Sequence, residues 1–146
     1  MRHLVLIALL AALLLVSAGA ARPAVRVEAG HGISAVLPAQ WHVVHRVLSD
    51  CSDPVQRFAA ASRGATVLLL ETNMDVRFPA RPAGFRLPVH LSRFEGCCSM
   101  PNGPGAELLF RDHGRRFYAF VYLRPRSRDR ATALSLLNSL RVAPGL

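Results

Sequence analysis

The sequence contains no lysine, since all 18 of its basic residues are arginine. This absence is typical of GC-rich bacterial coding, and it excludes the lysine-containing glycine-rich loop that cradles nucleotide phosphates. The catalytic patterns Gly-x-Ser-x-Gly and His-Glu-x-x-His are also missing from the chain. The sequence therefore gives no signature of a nucleotide-binding protein, a serine hydrolase or a zinc peptidase.

Acidic residues are scarce, at 9 against 18 basic ones, which leaves a formal net charge of +9. A basic surface attracts anionic polymers, phospholipid headgroups or nucleic acid. The densest basic group consists of Arg124, Arg126, Arg128 and Arg130, and the other arginines are dispersed along the chain. This group is interpreted first as a solvated loop and alternatively as an anion-binding patch for polymers or lipid. Specific nucleic-acid binding is not expected, because the aromatic residues near the arginines belong to a core strand.

The longest apolar run lies at the N-terminus, from Leu4 to Val16. It follows the positive head Met1-Arg2-His3 and precedes the small residues Ala18-Gly19-Ala20. This pattern predicts a secretory signal peptide at 1–20 and a single exported domain at 21–146. An uncleaved N-terminal membrane anchor is the alternative. We expect the mature protein to be secreted or extracytoplasmic.

Cysteine is also rare, with three in the chain, and an odd number in an exported protein needs an explanation. In an oxidising compartment we expect a disulfide from Cys51 to Cys97, with Cys98 as the alternative partner. The remaining cysteine would allow a dimer, although a monomer is expected. No metal site or cofactor is predicted, because adjacent cysteines do not reproduce the spacing of a zinc site. Copper(I) held by two thiolates and a histidine is the alternative. The candidate histidines for such a site are His42, His45 and His90.

Hydrophobic patterns predict an antiparallel sheet of about six to seven strands. Phe117–Leu123 is apolar on both alternate faces, which is typical of a central strand. The stretch 73–88 contains three prolines, which exclude a long helix and favour an extended crossover pinned by Phe78 and Phe85. The predicted strands cover 25–37, 41–47, 55–61, 65–71, 89–95, 106–110 and 117–123.

The pattern changes period after Leu123. With Asp129 near the helix N-terminus, a rotation of about 100° per residue places one set of apolar side chains on a common face. That face consists of Ala133, Leu136, Leu137 and Leu140. We therefore predict one long C-terminal amphipathic helix that packs on the sheet, which makes the fold class α+β.

Two short stretches carry a resemblance to a known family, namely Leu37-Pro38-Ala39-Gln40-Trp41 and Leu136-Leu137-Asn138-Ser139-Leu140. Together with the order of the predicted elements, they make the chain resemble small exported domains of PsbP/Mog1-like type and uncharacterised secreted actinobacterial proteins. The resemblance implies an α/β/α-like sandwich around an antiparallel sheet. It implies no shared catalytic residues.

The sequence offers only weak candidates for catalysis, because acids beside turns are more often caps and turn formers. The leading hypothesis is a non-catalytic envelope or extracellular binding or accessory module that acts on a protein or envelope partner. A polyanion or anionic-lipid binder is the second hypothesis, and an unrecognised hydrolase is the third. The candidate catalytic groups are Cys51 or Ser52 with His45 and Asp53, His113 with Asp112, and the acid pairs Asp50/Asp53 and Glu95/Glu107.

Overall fold

A computed structural model describes residues 23–96 and 98–145. The predicted signal peptide and Cys97 lie outside the described residues. Nine strands and one helix follow one another in the described part of the chain. They are β1 (Val25–Gly30), β2 (Ile33–Leu37), β3 (His42–Val43), β4 (Val55–Ala61), β5 (Ala65–Thr72), β6 (Ser92–Phe94), β7 (Gly103–Asp112), β8 (Arg115–Leu123), α1 (Arg130–Asn138) and β9 (Arg141–Val142).

Six strands form one sheet in the order β3-β4-β5-β8-β7-β6, and every neighbouring pair is antiparallel. The two most apolar strands, β5 and β8, lie side by side in its middle, as their covered faces predict. The turn between β7 and β8 has positive φ angles at His113 (49°) and Gly114 (80°). Glycine favours this conformation because it has no Cβ. The predicted hairpin is therefore confirmed.

The inner face of the six-stranded sheet packs against α1 and against a second antiparallel sheet of order β1-β2-β9. Ala133, Leu136 and Leu137 of α1 are buried there, and Leu140, predicted on the same helical face, is buried just after the helix ends. Trp41 is also buried, and its Nε1 donates a hydrogen bond to Thr132 Oγ1 at 3.2 Å. At about 1.5–3 kcal/mol for each buried leucine, this layer contributes much of the stability of the core.

Helix α1 has nine residues and is not clearly amphipathic, so the prediction of a long amphipathic helix is only partly confirmed. The chain leaves it at Ser139, whose hydroxyl accepts a hydrogen bond from Val36 N at 2.8 Å. The next residues form β9, which pairs with β2. Cross-strand pairing ends the helix at a point that the hydrophobic period alone does not indicate. Among the described residues, no helix has the length and apolar character needed to cross a membrane.

Three strand predictions need correction. The stretch 25–37 forms two strands, because Gly30, His31 and Gly32 all take positive φ angles and turn the chain back on itself. The predicted strands 41–47 and 89–95 shorten to β3 and β6. The expected single sheet is consequently a six-stranded sheet with a separate three-stranded one.

The outer face of the six-stranded sheet carries a smaller cluster, formed by Leu48, Ala59, Leu68 and Leu70. Aromatic rings extend this cluster along β8. Phe78 packs edge-on against Tyr118, with ring centroids 5.0 Å apart, and Phe94 packs edge-on against Phe120 at 5.6 Å.

The crossover 73–88 runs from the outer face to the inner face around the β7 edge. Phe78 is buried on Tyr118, Ala80 pairs with Arg111 of β7, and Phe85 is buried against Phe110 on the inner side. The sequence-based expectation of an extended crossover pinned by Phe78 and Phe85 is therefore confirmed.

Candidate binding surfaces

The disulfide joins Cys51 to Cys98, with their Cα atoms 5.3 Å apart. The predicted partner of Cys51 is Cys97 with Cys98 as the alternative, and the observed bond uses the alternative. Two further bonds connect the same loops: Asp50 N donates to Cys98 O at 3.0 Å, and Ser99 Oγ donates to Asp50 Oδ2 at 2.9 Å. A disulfide of this kind indicates an oxidising, extracytoplasmic environment.

The disulfide also decides the chemistry of the cysteine candidates. Cys51 has no free thiol, so it is not available as a nucleophile or as a thiolate ligand for copper(I) while the bond is intact. Among the described residues, no group of three or more histidine, cysteine or acidic side chains is arranged to hold a metal ion.

Two of the acidic candidates, Asp53 and Asp112, have structural partners. Asp53 Oδ1 accepts a hydrogen bond from Asn73 N at 3.4 Å. Asp112 Oδ1 lies 2.9 Å from His113 Nδ1, but its Oδ2 accepts a hydrogen bond from Arg81 Nη1 at 2.8 Å. Arg81 in turn donates to Leu140 O, which ties the β7–β8 hairpin to the chain after α1. The His113–Asp112 pair is therefore part of a structural contact at an exposed turn.

The structure separates the four predicted anion-binding arginines into two kinds. Arg124, Arg126 and Arg128 are exposed, and none has a hydrogen-bond or ion-pair partner for its side chain within the described chain. Arg130 is half-buried, and its guanidinium donates to the carbonyl oxygens of Leu87, at 2.9 Å, and of Pro88. Arg130 therefore fastens α1 to the crossover, whereas the other three remain available for a ligand.

Arg63, which does not belong to the predicted group, lies near the three exposed arginines. Arg124 N donates to Gly64 O at 2.9 Å, which brings the β4–β5 turn and its exposed Arg63 next to the loop. Asp129 Oδ2 accepts hydrogen bonds from Ser62 Oγ and from Gly64 N, which hold the two loops together. We call Arg63, Arg124, Arg126 and Arg128 the arginine-rich end. The sequence does not reveal Arg63, since its place depends on a contact between distant loops.

A cavity of about 260 Å³ adjoins the arginine-rich end. Its polar lining includes Ser62, Thr66, Asn102 and Arg124. Gly64 forms part of its wall, and a Cβ at this position would overlap Ser127 Oγ and lie 2.8 Å from Asp129 Oδ2. Glycine is therefore required for the close approach of the two loops.

A second charged group lies at the opposite end of the six-stranded sheet. The Glu71 carboxylate accepts hydrogen bonds from Arg115 Nε (2.7 Å), Arg115 Nη2 (2.9 Å) and Arg57 Nε (2.7 Å). Hydrogen bonding from Arg115 lowers the pKa of Glu71 against the opposing effect of burial, and Arg57 adds to the lowering. The same pairing raises the pKa of Arg115. These residues line a cavity of about 620 Å³ together with His31.

Most donors of this second group are used inside the protein. Arg115 Nη1 donates to the carbonyl oxygens of His31 and Ala143, at 2.8 and 3.4 Å, and its guanidinium lies 5.2 Å from the centre of the Phe117 ring. The cluster joins β4, β5, β8, the β1–β2 turn and the C-terminal segment. The cluster therefore stabilises the contact between these segments. The arginine-rich end, whose side chains have no such partners, is the stronger candidate for binding.

Comparison with protein-family models, with curated proteins and with solved structures found no match to this chain. The resemblance to PsbP/Mog1-like domains stays a prediction.

Proposed function

We propose that this protein is a non-catalytic extracytoplasmic binding module and that it holds a polyanion at the arginine-rich end. One observation carries the proposal. Arg63, Arg124, Arg126 and Arg128 are exposed at the same end of the sheet, and no described carboxylate pairs with any of them.

Unpaired arginines favour an anionic ligand for an electrostatic reason. An ion pair with an internal carboxylate would occupy the donors of an arginine, but Asp129, next to Arg128 in the sequence, accepts hydrogen bonds from Ser62 and Gly64 instead. Basic residues near an anionic surface contribute about 1 kcal/mol each at physiological ionic strength. Four such residues acting together on one ligand would give useful affinity even though each contact is weak.

The shape of the surface favours a polymer over a small molecule. The adjoining cavity of about 260 Å³ is smaller than the roughly 300–1,000 Å³ typical of small-molecule sites. A polymer with repeated negative charges contacts several exposed arginines without being enclosed. The disulfide supports a location where extracellular or envelope polyanions occur, because it indicates an oxidising environment.

The experiment is heparin affinity chromatography of the mature protein over a series of salt concentrations. We expect retention that falls steeply with salt, because each arginine contact releases bound counterions. A variant with Arg63, Arg124, Arg126 and Arg128 all changed to Gln should elute at a much lower salt concentration.

The matched control changes four exposed arginines elsewhere to Gln, namely Arg46, Arg77, Arg86 and Arg141. It has the same net charge as the first variant, so it separates a local site from general charge attraction. Equal losses in the two variants, or retention that does not depend on salt, would contradict the proposal.

Two further assays test the other functional hypotheses. Binding to vesicles that contain anionic phospholipid, without retention on heparin, would replace the polymer with a membrane surface. Turnover of a generic ester, glycoside or peptide substrate would overturn the non-catalytic assignment, provided that mutation of His45 or Asp53 abolishes the turnover.

A further inference from the structure

The edge of β7 that faces away from β8, called its outer edge below, is only partly paired with other backbone segments. Strand β6 pairs with it over three positions, Gly103 to Gly105, and the crossover pairs with it at Arg111. Between these two contacts, the stretch 106–110 of β7 has no strand beside it in the described part of the chain. This gap spans about five residues, or roughly 17 Å of extended chain.

The direction of the backbone groups in the gap follows from the contacts of Arg111. Its N–H donates to Pro79 O at 2.7 Å, and its carbonyl accepts from Arg81 N at 2.9 Å, so both groups point away from β8. Strand β7 pairs with β8 without a register shift from Gly105 to Asp112. Because backbone orientation alternates with a period of two, Leu109 and Glu107 direct their N–H and C=O groups to the same outer edge.

These groups have no partner among the residues that the structure describes. No hydrogen bond outside the β7–β8 pair involves the backbone of Glu107 or Leu109. Two donors and two acceptors therefore lie along an open sheet edge, in the spacing that an added strand requires.

An apolar groove lies against this open edge. Its volume is about 640 Å³, within the range of ligand-binding pockets. Leu109 is 41% exposed there, although it is one of the large apolar side chains of the sheet. The apolar part of the lining consists of Pro79, Pro82, Phe85, Leu108 and Leu109. A side chain from an added strand would cover this surface.

The positive charges around the groove determine which kind of peptide would bind there. Arg86 lines the groove, and Arg93 and Arg111 flank its two ends in the register of β7. All three are exposed, and no described carboxylate pairs with them. Glu107 is the acidic residue in the lining. The rim is thus positive, which favours an acidic partner and disfavours a second copy of the same rim.

We propose that the stretch 106–110 of β7 binds an extended acidic peptide as an added strand. The peptide backbone pairs with Glu107 and Leu109, one of its apolar side chains fills the groove, and its acidic side chains meet the arginines of the rim. This is strand addition to a sheet edge, in which backbone bonds supply affinity and a pocket supplies selectivity. The site is separate from the arginine-rich end and does not depend on the polyanion proposal.

The probe is a capped seven-residue peptide in which Glu alternates with Val and a central Phe. Fluorescence anisotropy measures its binding to the mature, oxidised protein, and amide hydrogen exchange measures protection of Glu107 and Leu109. We expect saturable binding together with slower exchange at both amides. The same peptide with Lys in place of Glu should bind at least about tenfold more weakly, because like charges then meet.

Two backbone-methylated versions of the peptide test strand pairing directly. One carries N-methyl groups at the odd positions and the other at the even positions, with all side chains kept. Only one set of peptide N–H groups can face β7, so one version should lose binding by about tenfold or more while the other binds nearly as well as the parent peptide. Equal binding of both versions, or no binding of the parent peptide, would overturn the proposal.

Two variants of the protein give an independent check. Leu109→Ala shortens the side chain but keeps the outward N–H, whereas Leu109→Pro also removes that donor, which an edge strand tolerates. We expect Leu109→Pro to bind the peptide several-fold more weakly than Leu109→Ala, with circular dichroism confirming that both are folded. Because the peptide is itself an anion, the Leu109 comparison is repeated in the variant of the arginine-rich end, where binding at that end is removed, and the difference between Leu109→Pro and Leu109→Ala should persist. Equal affinities of the two Leu109 variants, or a concentration-dependent dimer that the peptide does not dissociate, would contradict the proposal.

Discussion

Arg115 holds the carboxylate of Glu71 through two hydrogen bonds, Nε to Oε1 at 2.7 Å and Nη2 to Oε2 at 2.9 Å. Both side chains are largely buried, with exposed fractions of 10% for Arg115 and 14% for Glu71. Arg57 donates a third bond to the same carboxylate. The pair connects the two central strands, β5 and β8, near one end of the six-stranded sheet. Its loss should therefore lower the free energy of unfolding.

Replacing Glu71 with Gln should destabilise the protein. The change removes the negative charge between two guanidinium groups and leaves Arg115 buried without its counterion. Because removing one partner of a buried pair typically costs about 3–5 kcal/mol, and this pair keeps some solvent contact, we expect a loss of about 2–3 kcal/mol in the free energy of unfolding. Urea denaturation at neutral pH measures this loss.

The control for this prediction is Asp75→Asn. Asp75 also accepts a bond from an arginine, Arg116 Nη2 at 3.1 Å, but its side chain is 99% exposed. Surface pairs contribute about 0–1 kcal/mol, so the control should be nearly neutral. Similar losses in the two variants would show that burial does not strengthen the Glu71 pair.

Glu71 should also give the protein a measurable acid sensitivity. Hydrogen bonding from Arg115 lowers the pKa of Glu71 below its ordinary value of 4.5, so the folded state favours the charged carboxylate. The resulting stability is fully present above the unfolded pKa and is lost as the pH falls through the lower folded pKa. The difference in unfolding free energy between wild type and Glu71→Gln should therefore be constant near neutral pH and shrink at acidic pH, below 4.5.

Glu107 provides a comparison of opposite sign. Burial raises the pKa of Glu107, so its charged form is disfavoured in the folded state. Glu107→Gln should therefore be slightly more stable than the wild type at neutral pH, and this advantage should disappear as the pH falls through the raised pKa. Denaturation curves of both variants over the same pH series check the two signs. A parallel pH response of the two variants would contradict the assigned causes.

The disulfide should contribute strongly to stability because it closes a long loop. Cys51 and Cys98 are 47 positions apart, and in the chain-entropy model a bond across such a loop adds about 4 kcal/mol. Cys51→Ala removes the cysteine that both possible pairings share, and it should therefore lose several kcal/mol in urea denaturation relative to the wild type. Mass spectrometry of the unreduced, digested wild type should find the Cys51–Cys98 linkage. A Cys51–Cys97 linkage would contradict the observed pairing.

The central strands of the fold can be predicted from the sequence because their hydrophobic patterns are long and continuous. The runs that became β5 and β8 are apolar on both faces, and the turn at His113 and Gly114 joins β7 to β8 as predicted. The three-stranded sheet is not readable in the same way. Its β9 has two residues, Arg141 and Val142, and exists because β2 lies beside it. A pattern of two residues carries no period.

The candidate sites show the same limit. The group Arg124 to Arg130 is visible as a cluster, but only the fold shows that Arg130 binds the crossover and that Arg63 takes its place at the exposed end. The Glu71 cluster has one signal in the sequence, since an acid ends an otherwise apolar run. Its arginines come from β4 and β8, so they could be identified only after the strand order was known. Adjacent Cys97 and Cys98 likewise give no pattern that separates the two partners.

Leu136 should be among the most sensitive positions of the chain, because α1 is short and depends on its buried face. Leu136 has no exposed surface and lies in the main core between the sheet and the helix. Replacing it with Ala should cost about 2–5 kcal/mol, through lost transfer free energy and the cavity left behind.

Leu134, on the same helix, is only partly buried and packs at the edge of that core, which makes Leu134→Ala a control with the same change in side chain and helix propensity. We expect Leu134→Ala to lose clearly less stability than Leu136→Ala in urea denaturation monitored by the fluorescence of Trp41. Trp41 reports on this layer because its indole nitrogen donates to Thr132 of the helix. Equal losses at the two positions would mean that the inward face of α1 is not the one that stabilises the fold.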